Sequence, residues 1–263
     1  MMTPQAQSLR AVMQQFRPIT LAEMDGVQLL NRIDTKYVMP SHKLAPFLEL
    51  VKNEYRILET TPLRYTNYDS LYYDTHDFKL FATHHRGKAG RYKVRFRGYE
   101  DTKMFFLEIK HKNNKGRTDK SRSIRVDIEQ ALSPESIEYI GRKTTINATD
   151  LEAKLQVRFS RITMVNNAEN ERLTLDFDLC FEGNGKTCPM PGIVVVEIKQ
   201  SSFSAKSAAI AALRELRVRE SNMSKYCIGA AKVYPDLRSN NFKEVIHTIT
   251  KLQHNGTTGN QAA

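Results

Sequence analysis

Tyr92-Lys93-Val94-Arg95-Phe96-Arg97, followed after a short turn by Phe105-Phe106-Leu107-Glu108-Ile109-Lys110, is the stretch around which the chain is organised. Side chains alternate along a strand, so Lys93, Arg95 and Arg97 share one face while Tyr92, Val94 and Phe96 occupy the other. The second segment repeats the pattern, with Glu108 and Lys110 opposite Leu107 and Ile109. Two adjacent strands that each carry a charged row make one wall of a site for a highly charged anion.

The same alternation recurs on both sides of this pair. Downstream, Asp119 to Asp127 places Lys120 and Arg122 on one face, and Leu155 to Val165 puts Arg158 and Arg161 on opposite faces. Arg172, Thr174, Asp176 and Asp178 then alternate with Leu173, Leu175, Phe177 and Leu179. Ile193 to Gln200 repeats the opening motif, with Glu197 and Lys199 opposite Val194, Val196 and Ile198. Upstream, the run from Arg32 to Pro40 reads as a strand with Arg32, Asp34 and Lys36 on one face, and extended segments follow at Tyr55 to Leu58 and Tyr68 to Thr75.

Helices are interspersed. Thr20 and Glu23 form a capping box ahead of Leu21, Met24, Val27 and Leu30, and Ser41 is the expected cap before Leu44, Phe47, Leu48 and Val51. A short helical piece at Phe78 to Thr83 leads into a basic loop, His84 to Arg91. Ser133-Pro134-Glu135 opens another helix, Ser204 to Glu220 a further one with Ile210, Leu213 and Leu216 inward, and Ser224-Lys225-Tyr226 begins a final element. Strands dominate and no linker divides the middle, so the fold class is α+β with a large antiparallel sheet. The expected organisation is a single domain over 1–253 and a polar, disordered tail over 254–263.

With 263 residues and 40% hydrophobic content, the chain can bury a substantial core. Its 40 Lys plus Arg against 29 Asp plus Glu give a formal charge of +11, which suits polyanionic partners. Cys180, Cys188 and Cys227 are an odd number without a C-x-x-C pair, which points to reduced thiols. There is no apolar signal core and no run long enough to span a bilayer, so a soluble, cytoplasmic protein is expected.

A single half-exposed strand with a charged face is an ordinary solvated strand. Here at least five strands carry charge at alternate positions above an apolar opposite face. If helices cover the apolar side, the charged faces converge, and closing the sheet gives a barrel with a polar lumen. Lys and Arg crowded there need anions, and oligophosphate would neutralise the excess. Glu108, Asp176, Asp178 and Glu197 could hold Mg²⁺ or Mn²⁺ beside the phosphates through hard oxygen ligands. Cation clamps plus a metal are what phosphoryl transfer requires.

The ordered set R-I-D-T-K-Y-V, S-L-Y-Y-D-T, Y-K-V-R-F-R-G-Y, L-E-I-K, D-K-S-R, V-R-F-S-R, L-T-L-D-F-D, V-V-E-I-K and S-K-Y resembles the VTC domain, the polyphosphate polymerase domain of the vacuolar transporter chaperone complex, over about residues 20 to 243. That domain belongs to the triphosphate tunnel metalloenzymes. The resemblance implies a closed antiparallel tunnel of about eight strands with helices outside. It implies phosphate-binding roles for Lys36, Arg95, Arg97, Lys110, Lys120, Arg161 and Lys225, with Lys199 beside them and Arg86 as a weaker match. Of these, Lys36, Arg95, Arg97 and Lys110 are the candidate catalytic residues together with Glu197. Glu197 is the implied metal ligand, with Asp176 or Asp178 as a possible second. The implied chemistry is transfer of the ATP γ-phosphate onto polyphosphate threading the tunnel, with Mn²⁺ or Mg²⁺ as cofactor. The superfamily's N-terminal E-x-E-x-K is replaced here by Arg32-Ile33-Asp34-Thr35-Lys36, which favours the VTC branch over thiamine triphosphatases and class IV adenylate cyclases.

Other features are set aside. His84 and His85 read as surface residues, Gly185-Lys186-Thr187 fails as a phosphate loop because Cys180 replaces the required glycine, and Tyr72, Tyr73, Phe105 and Phe106 read as core. A hydrolase of triphosphate or polyphosphate and a non-catalytic polyanion-binding module are the competing functions. Nucleic acid is not expected, because the cations sit at alternate strand positions without interleaved base-stacking aromatics.

Overall fold

The computed structural model describes residues 4–25, 32–114, 118–166 and 168–258. In chain order the elements are α1 (Pro4–Gln14), β1 (Arg17–Ile19), α2 (Leu21–Asp25), β2 (Ile33–Pro40), a 3-10 turn (Ser41–Lys43), α3 (Leu44–Val51), β3 (Arg56–Leu58), β4 (Thr66–Thr75), α4 (Lys79–His85), β5 (Arg91–Tyr99), β6 (Met104–Lys112) and β7 (Thr118–Arg125). There follow α5 (Pro134–Lys143), a 3-10 turn (Ala148–Asp150), β8 (Leu151–Asn166), β9 (Glu171–Gly183), β10 (Lys186–Met190), β11 (Ile193–Gln200), α6 (Ala208–Glu215), α7 (Lys225–Val233), a 3-10 turn (Asn240–Phe242) and α8 (Lys243–Thr258).

The main sheet runs in the order β2-β11-β9-β8-β4-β5-β6-β7, and its neighbours on this path are antiparallel. β10 forms a hairpin with β9, while β3 pairs with β8 and, in parallel, with β1. Among the described residues no main-chain pairing joins β7 to β2, so the expected barrel is not closed by hydrogen bonds. The sheet nevertheless curls. Lys110 on β6 feels the charges of Glu197 on β11 and of Lys36 and Asp34 on β2. In a flat sheet β6 and β11, five strand spacings apart, would be separated by about 24 Å, well beyond the reach of screened charges.

Apolar residues line both faces. On the convex side Met39, Ile162, Met164, Leu173, Leu175, Val194, Val196 and Ile198 pack with α1, α3 and α6, while Leu71, Tyr73, Val94, Phe96, Leu107 and Ile109 pack with Tyr139 and Ile140 of α5. The concave side is polar over only part of its length. There Val38, Leu155, Val157, Phe159, Leu179, Phe181 and Val195 pack against Tyr226, Cys227, Ile228, Ala230 and Val233 of α7. A wholly polar lumen is thus corrected to a concave face that α7 fills at one end and charge fills at the other.

The helix signals fare unevenly. Thr20 and Glu23 form the reciprocal capping box, Thr20 N donating to Glu23 Oε2 at 2.8 Å and Glu23 N to Thr20 Oγ1 at 3.3 Å, while Val27 and Leu30 lie outside the described residues. Ser133, Ser207 and Ser224 each accept a helix N–H at an N-terminus. Ser41 makes no cap bond among the described residues, because a 3-10 turn intervenes before α3, and the helix expected over Ser204 to Glu220 spans only Ala208–Glu215 behind its cap Ser207. α1, β10 and α8 were not foreseen. Helical backbone continues through Thr258, past the expected boundary at 254, and residues 259–263 lie outside the described residues.

Candidate anion-binding site

Strand register lays the charged side chains out as a grid on the concave face. Lys93, Lys110 and Lys120 are cross-strand neighbours on β5, β6 and β7, and Tyr72, Arg95, Glu108 and Arg122 form the next row from β4 to β7. At the other end of the sheet Glu197 lies between Lys36 and Thr174, Lys199 between Asp34 and Arg172, and Asp176 between Val195 and Arg161. Curling brings these two halves together, and the N-terminus of α7 adds Ser224 and Lys225.

Three carboxylates order the cations. Glu108, 2% exposed, accepts Arg95 Nε at 2.9 Å and Nη2 at 2.6 Å, lies 2.5 Å from Lys120 Nζ and 3.7 Å from Arg97 Nε. Burial alone would raise its pKa, but Arg95, Arg97 and Lys120 hold the carboxyl well below the usual range. Asp176, 1% exposed, accepts Arg161 Nε at 2.5 Å and Nη2 at 2.7 Å and also accepts Lys225 Nζ. Burial opposes its ionisation too, and Arg161 and Lys225 override it. Glu197 lies 2.8 Å from Lys199 Nζ and 3.8 Å from Lys36 Nζ, which likewise outweigh burial and keep it ionised.

Aromatic faces support the guanidinium groups. Arg97 and Arg161 lie 5.2 and 5.1 Å from the Tyr68 ring centroid, and Lys225 Nζ lies 4.8 Å from that of Phe159. The Tyr72 hydroxyl accepts Arg95 Nη1 at 2.7 Å. Although burial raises a phenol, Arg95, Arg97 and Lys93 leave this one below its ordinary value.

Three cations remain short of partners. Lys110 has neither an ion pair nor a hydrogen bond among the described residues, and burial pushes its amine down to about 8. Lys93, also lowered by burial, donates among the described residues only to Ser224 Oγ, at 3.0 Å. The Nε of Arg97 is buried without a hydrogen-bond partner among the described residues. A buried donor such as Arg97 Nε is normally satisfied, and the half-buried amines of Lys93 and Lys110 add incompletely matched positive charge beside it.

The structure therefore brings together Lys36, Arg95, Arg97, Lys110, Lys120, Arg161, Asp176, Glu197, Lys199 and Lys225. It leaves out two of the sequence candidates. Arg86 ends α4 and is exposed. Asp178 sits at φ 51° in an irregular stretch of β9, where the strand changes phase: Leu173 and Leu175 pack on the convex side, Leu179 and Phe181 on the concave one, and Asp178 faces solvent. Glu108, given less weight than Glu197 from sequence, is the anchor of three cations, as its register opposite Arg95 could have indicated. His84 is not a surface residue. Its Nδ1 is buried without a hydrogen-bond partner among the described residues, and burial together with Lys93, Arg91 and Lys36 pushes its pKa down to about 2. His85 is core, stacked on Phe81, with its Nε2 accepting Asn241 N at 3.2 Å.

No group of three His, Cys, Asp or Glu side chains converges among the described residues. Glu197 is a carboxylate beside Lys36 and Lys199, in a group of cations that are not all matched. Asp176 already has both oxygens engaged by Arg161 and Lys225. One carboxylate completed by phosphate oxygens and water fits the way Mg²⁺ accompanies phosphates.

Fold and site together define a class: an antiparallel-sheet protein whose concave face carries rows of cations ordered by buried carboxylates. The VTC domain family matches residues 31–234, and the chain belongs to that family. Among solved structures, it is similar to an adenylate cyclase candidate from Bacillus halodurans at 15% identity, covering 74% of this chain and 94% of that one with a TM-score of 0.47. It is also similar to an adenylyl cyclase candidate from Hippeastrum, described as having a dominant triphosphatase activity, at 14% identity, 76% and 96% coverage and a TM-score of 0.45. The PH1819 protein of Pyrococcus horikoshii gives 15% identity, 76% and 99% coverage and a TM-score of 0.45. Comparison with curated proteins gives no match. No helix among the described residues is long and apolar enough to cross a membrane.

Proposed function

We propose that the protein is a metal-dependent phosphotransferase that forms inorganic polyphosphate from the γ-phosphate of ATP, with the chain threading the curled sheet as through a tunnel. Three free cysteines support a reducing, cytoplasmic setting. The observation that carries the reading is the incomplete pairing of buried Arg97 and half-buried Lys93 and Lys110 beside ordered Arg95, Arg161, Lys36 and Lys199. A run of phosphates supplies acceptors to all of them at once, which a single carboxylate or phosphate cannot do. VTC membership supports the same conclusion.

In this reading Arg95 and Arg97 clamp equatorial phosphate oxygens with planar forks, and Lys36, Lys93, Lys110 and Lys199 add point charges as charge moves to the leaving oxygen. Glu108 and Asp176 hold Arg95 and Arg161 ready, so little reorganisation is needed during transfer. Glu197 would hold a Mg²⁺ or Mn²⁺ arriving with the phosphates, and the ion would neutralise their charge. The aligned donors set the end of the accepting chain in line with the γ-phosphate.

The test is product analysis after incubation with ATP and Mn²⁺ or Mg²⁺. Long-chain polyphosphate is expected from the wild type, and Glu197→Gln should lower its formation by at least about a hundredfold. Orthophosphate as the sole product would replace polymerisation with hydrolysis, and tight tripolyphosphate binding without turnover would leave only a binding module.

A further inference from the structure

Away from the concave face, where α3 and α6 cover the convex side of the sheet, the surface carries a groove. α6 presents Ala208, Ala211, Ala212 and Glu215 at i, i+3, i+4 and i+7, and so on one face. Side chains as short as alanine leave room, and a depression of about 400 Å³ lies over them, bounded also by Leu50 of α3, which is 42% exposed, and by the end of β8. It adjoins a second depression of about 540 Å³ between β1, the turn after α3 and the end of β8, and Glu54 and Asn166 line both. The charges are sorted along the groove. Over α6 the rim carries Glu54, Glu169 and Glu215 against Lys206, all exposed and without an ion pair among the described residues. In a chain of formal charge +11 this is a local excess of acid. The second depression is lined instead by Arg17 and Arg56 beside Glu54. Asn166 stands where the two meet and is 4% exposed. Its Oδ1 accepts Ala168 N at 3.0 Å and Glu169 N at 3.2 Å, while its amide Nδ2 has no hydrogen-bond partner among the described residues and opens onto the groove. An almost buried amide of this kind calls for an acceptor from outside the chain.

We propose that this groove docks a cationic amphipathic helix of a partner protein, with the C-terminal end of that helix over Asn166. An apolar ridge of leucine-sized side chains fits over the alanines as ridges fit grooves between packed helices. Lys or Arg on the flanks of the ridge meet Glu54, Glu169 and Glu215. The last carbonyls of a helix have no partner within it and carry the negative end of its dipole, so they suit the Asn166 Nδ2 donor and the neighbouring Arg17. An acidic helix would meet three carboxylates, and oligophosphate would be repelled by the same rim. The groove is thus distinct in chemistry from the concave site and independent of the reaction proposed there.

The test uses the full chain and a synthetic peptide that places leucine on one helical face and lysine on the other, with binding followed by fluorescence anisotropy. A peptide of the same composition in scrambled order and one with glutamate in place of lysine are the controls. Expected are binding of the leucine–lysine helix, at least about tenfold weaker binding of both controls, and slower amide hydrogen exchange in residues 50–54 and along α6. Glu54→Lys with Glu215→Lys reverses the rim and Ala211→Trp fills the floor, all at exposed positions, and each variant should weaken binding about tenfold or more. Asn166→Asp keeps an oxygen acceptor for the turn and removes the Nδ2 donor, and should weaken binding about fivefold. Thermal melts check folding, and tripolyphosphate affinity, which reports the opposite face, should be unchanged in every variant. No binding by the wild type, equal affinity for the scrambled peptide, or equal affinity in the wild type and the rim variant would overturn the proposal. A wild type that sediments as a dimer and becomes a monomer on charge reversal would assign the groove to a second copy of this chain and overturn it as well.

Discussion

Lys110 shows how function and stability oppose each other at one side chain. Its amine is displaced from about 10.5 to about 8 because burial penalises the charged form more than Glu197 compensates. A cation with a depressed folded-state pKa destabilises the free protein while charged. That penalty is fully present below pH 8 and is lost as pH rises toward 10.5, because over this window the unfolded chain binds more protons than the folded one. Lys110→Met should therefore raise the melting temperature at pH 7, with the gain shrinking between pH 8 and 10.5, and should weaken tripolyphosphate binding about tenfold or more. An anion beside Lys110 restores its pKa, so binding at pH 8.5 should take up protons. Calorimetry in two buffers of different ionisation enthalpy measures that uptake, and Lys110→Met should reduce it.

At the scale of elements, α7 is the piece that the site depends on and that local pattern describes least. Tyr226 stacks on Tyr72 and donates its hydroxyl to Asp74, whose carboxylate also accepts Thr75 N, Leu80 N and Phe81 N at 2.8 Å. One buried acid thus ties the start of α4 to the start of α7 and fixes where Ser224 and Lys225 meet Lys93 and Asp176. Tyr226→Phe should cost about 1–2 kcal/mol in denaturant unfolding, since the buried carboxylate loses one donor, and should weaken tripolyphosphate binding less than Lys225→Met does. Long strands such as β5, β6, β9 and β11 were legible because alternation persists over eight or more residues. α1 and α8 were not: each is mostly polar, and its few apolar residues, such as Val12 and Met13 or Ile249, gain meaning only against partners distant in sequence. β10 is five residues long and contains Pro189, so it carries little period of its own. That α7 packs on the concave face is likewise a tertiary fact, and so is the change of phase that turns Asp178 away while Asp176 stays. Alternation put Lys36, Lys93, Arg95, Arg97, Lys110, Lys120 and Lys199 on charged strand faces, the choice of Arg161 and Lys225 came from the family resemblance, and the pairing through Glu108 required knowing which strands are neighbours.

For the whole molecule, the open question in the fold is also the functional one: the sheet curls far enough for β6 to feel β2, yet β7 and β2 share no main-chain bonds among the described residues. β7 is an exposed edge with Asp119, Lys120 and Arg122 along it, a charge pattern that keeps edges from pairing. Mutual repulsion among Lys36, Lys93 and Lys110 further opposes drawing the two ends together. A bound oligophosphate would reverse the sign of that term by placing negative charge between them. Tripolyphosphate should thus stabilise the protein, by about 2.7 kcal/mol at a ligand concentration one hundred times its dissociation constant. The gain should fall as salt is added, since part of it is electrostatic. It should be accompanied by slower amide hydrogen exchange in β7 and in Ile33–Lys36 of β2, the strands at the two ends of the path. Protection confined to β5 and β6 would mean that the anion sits on one wall and the sheet does not close around it.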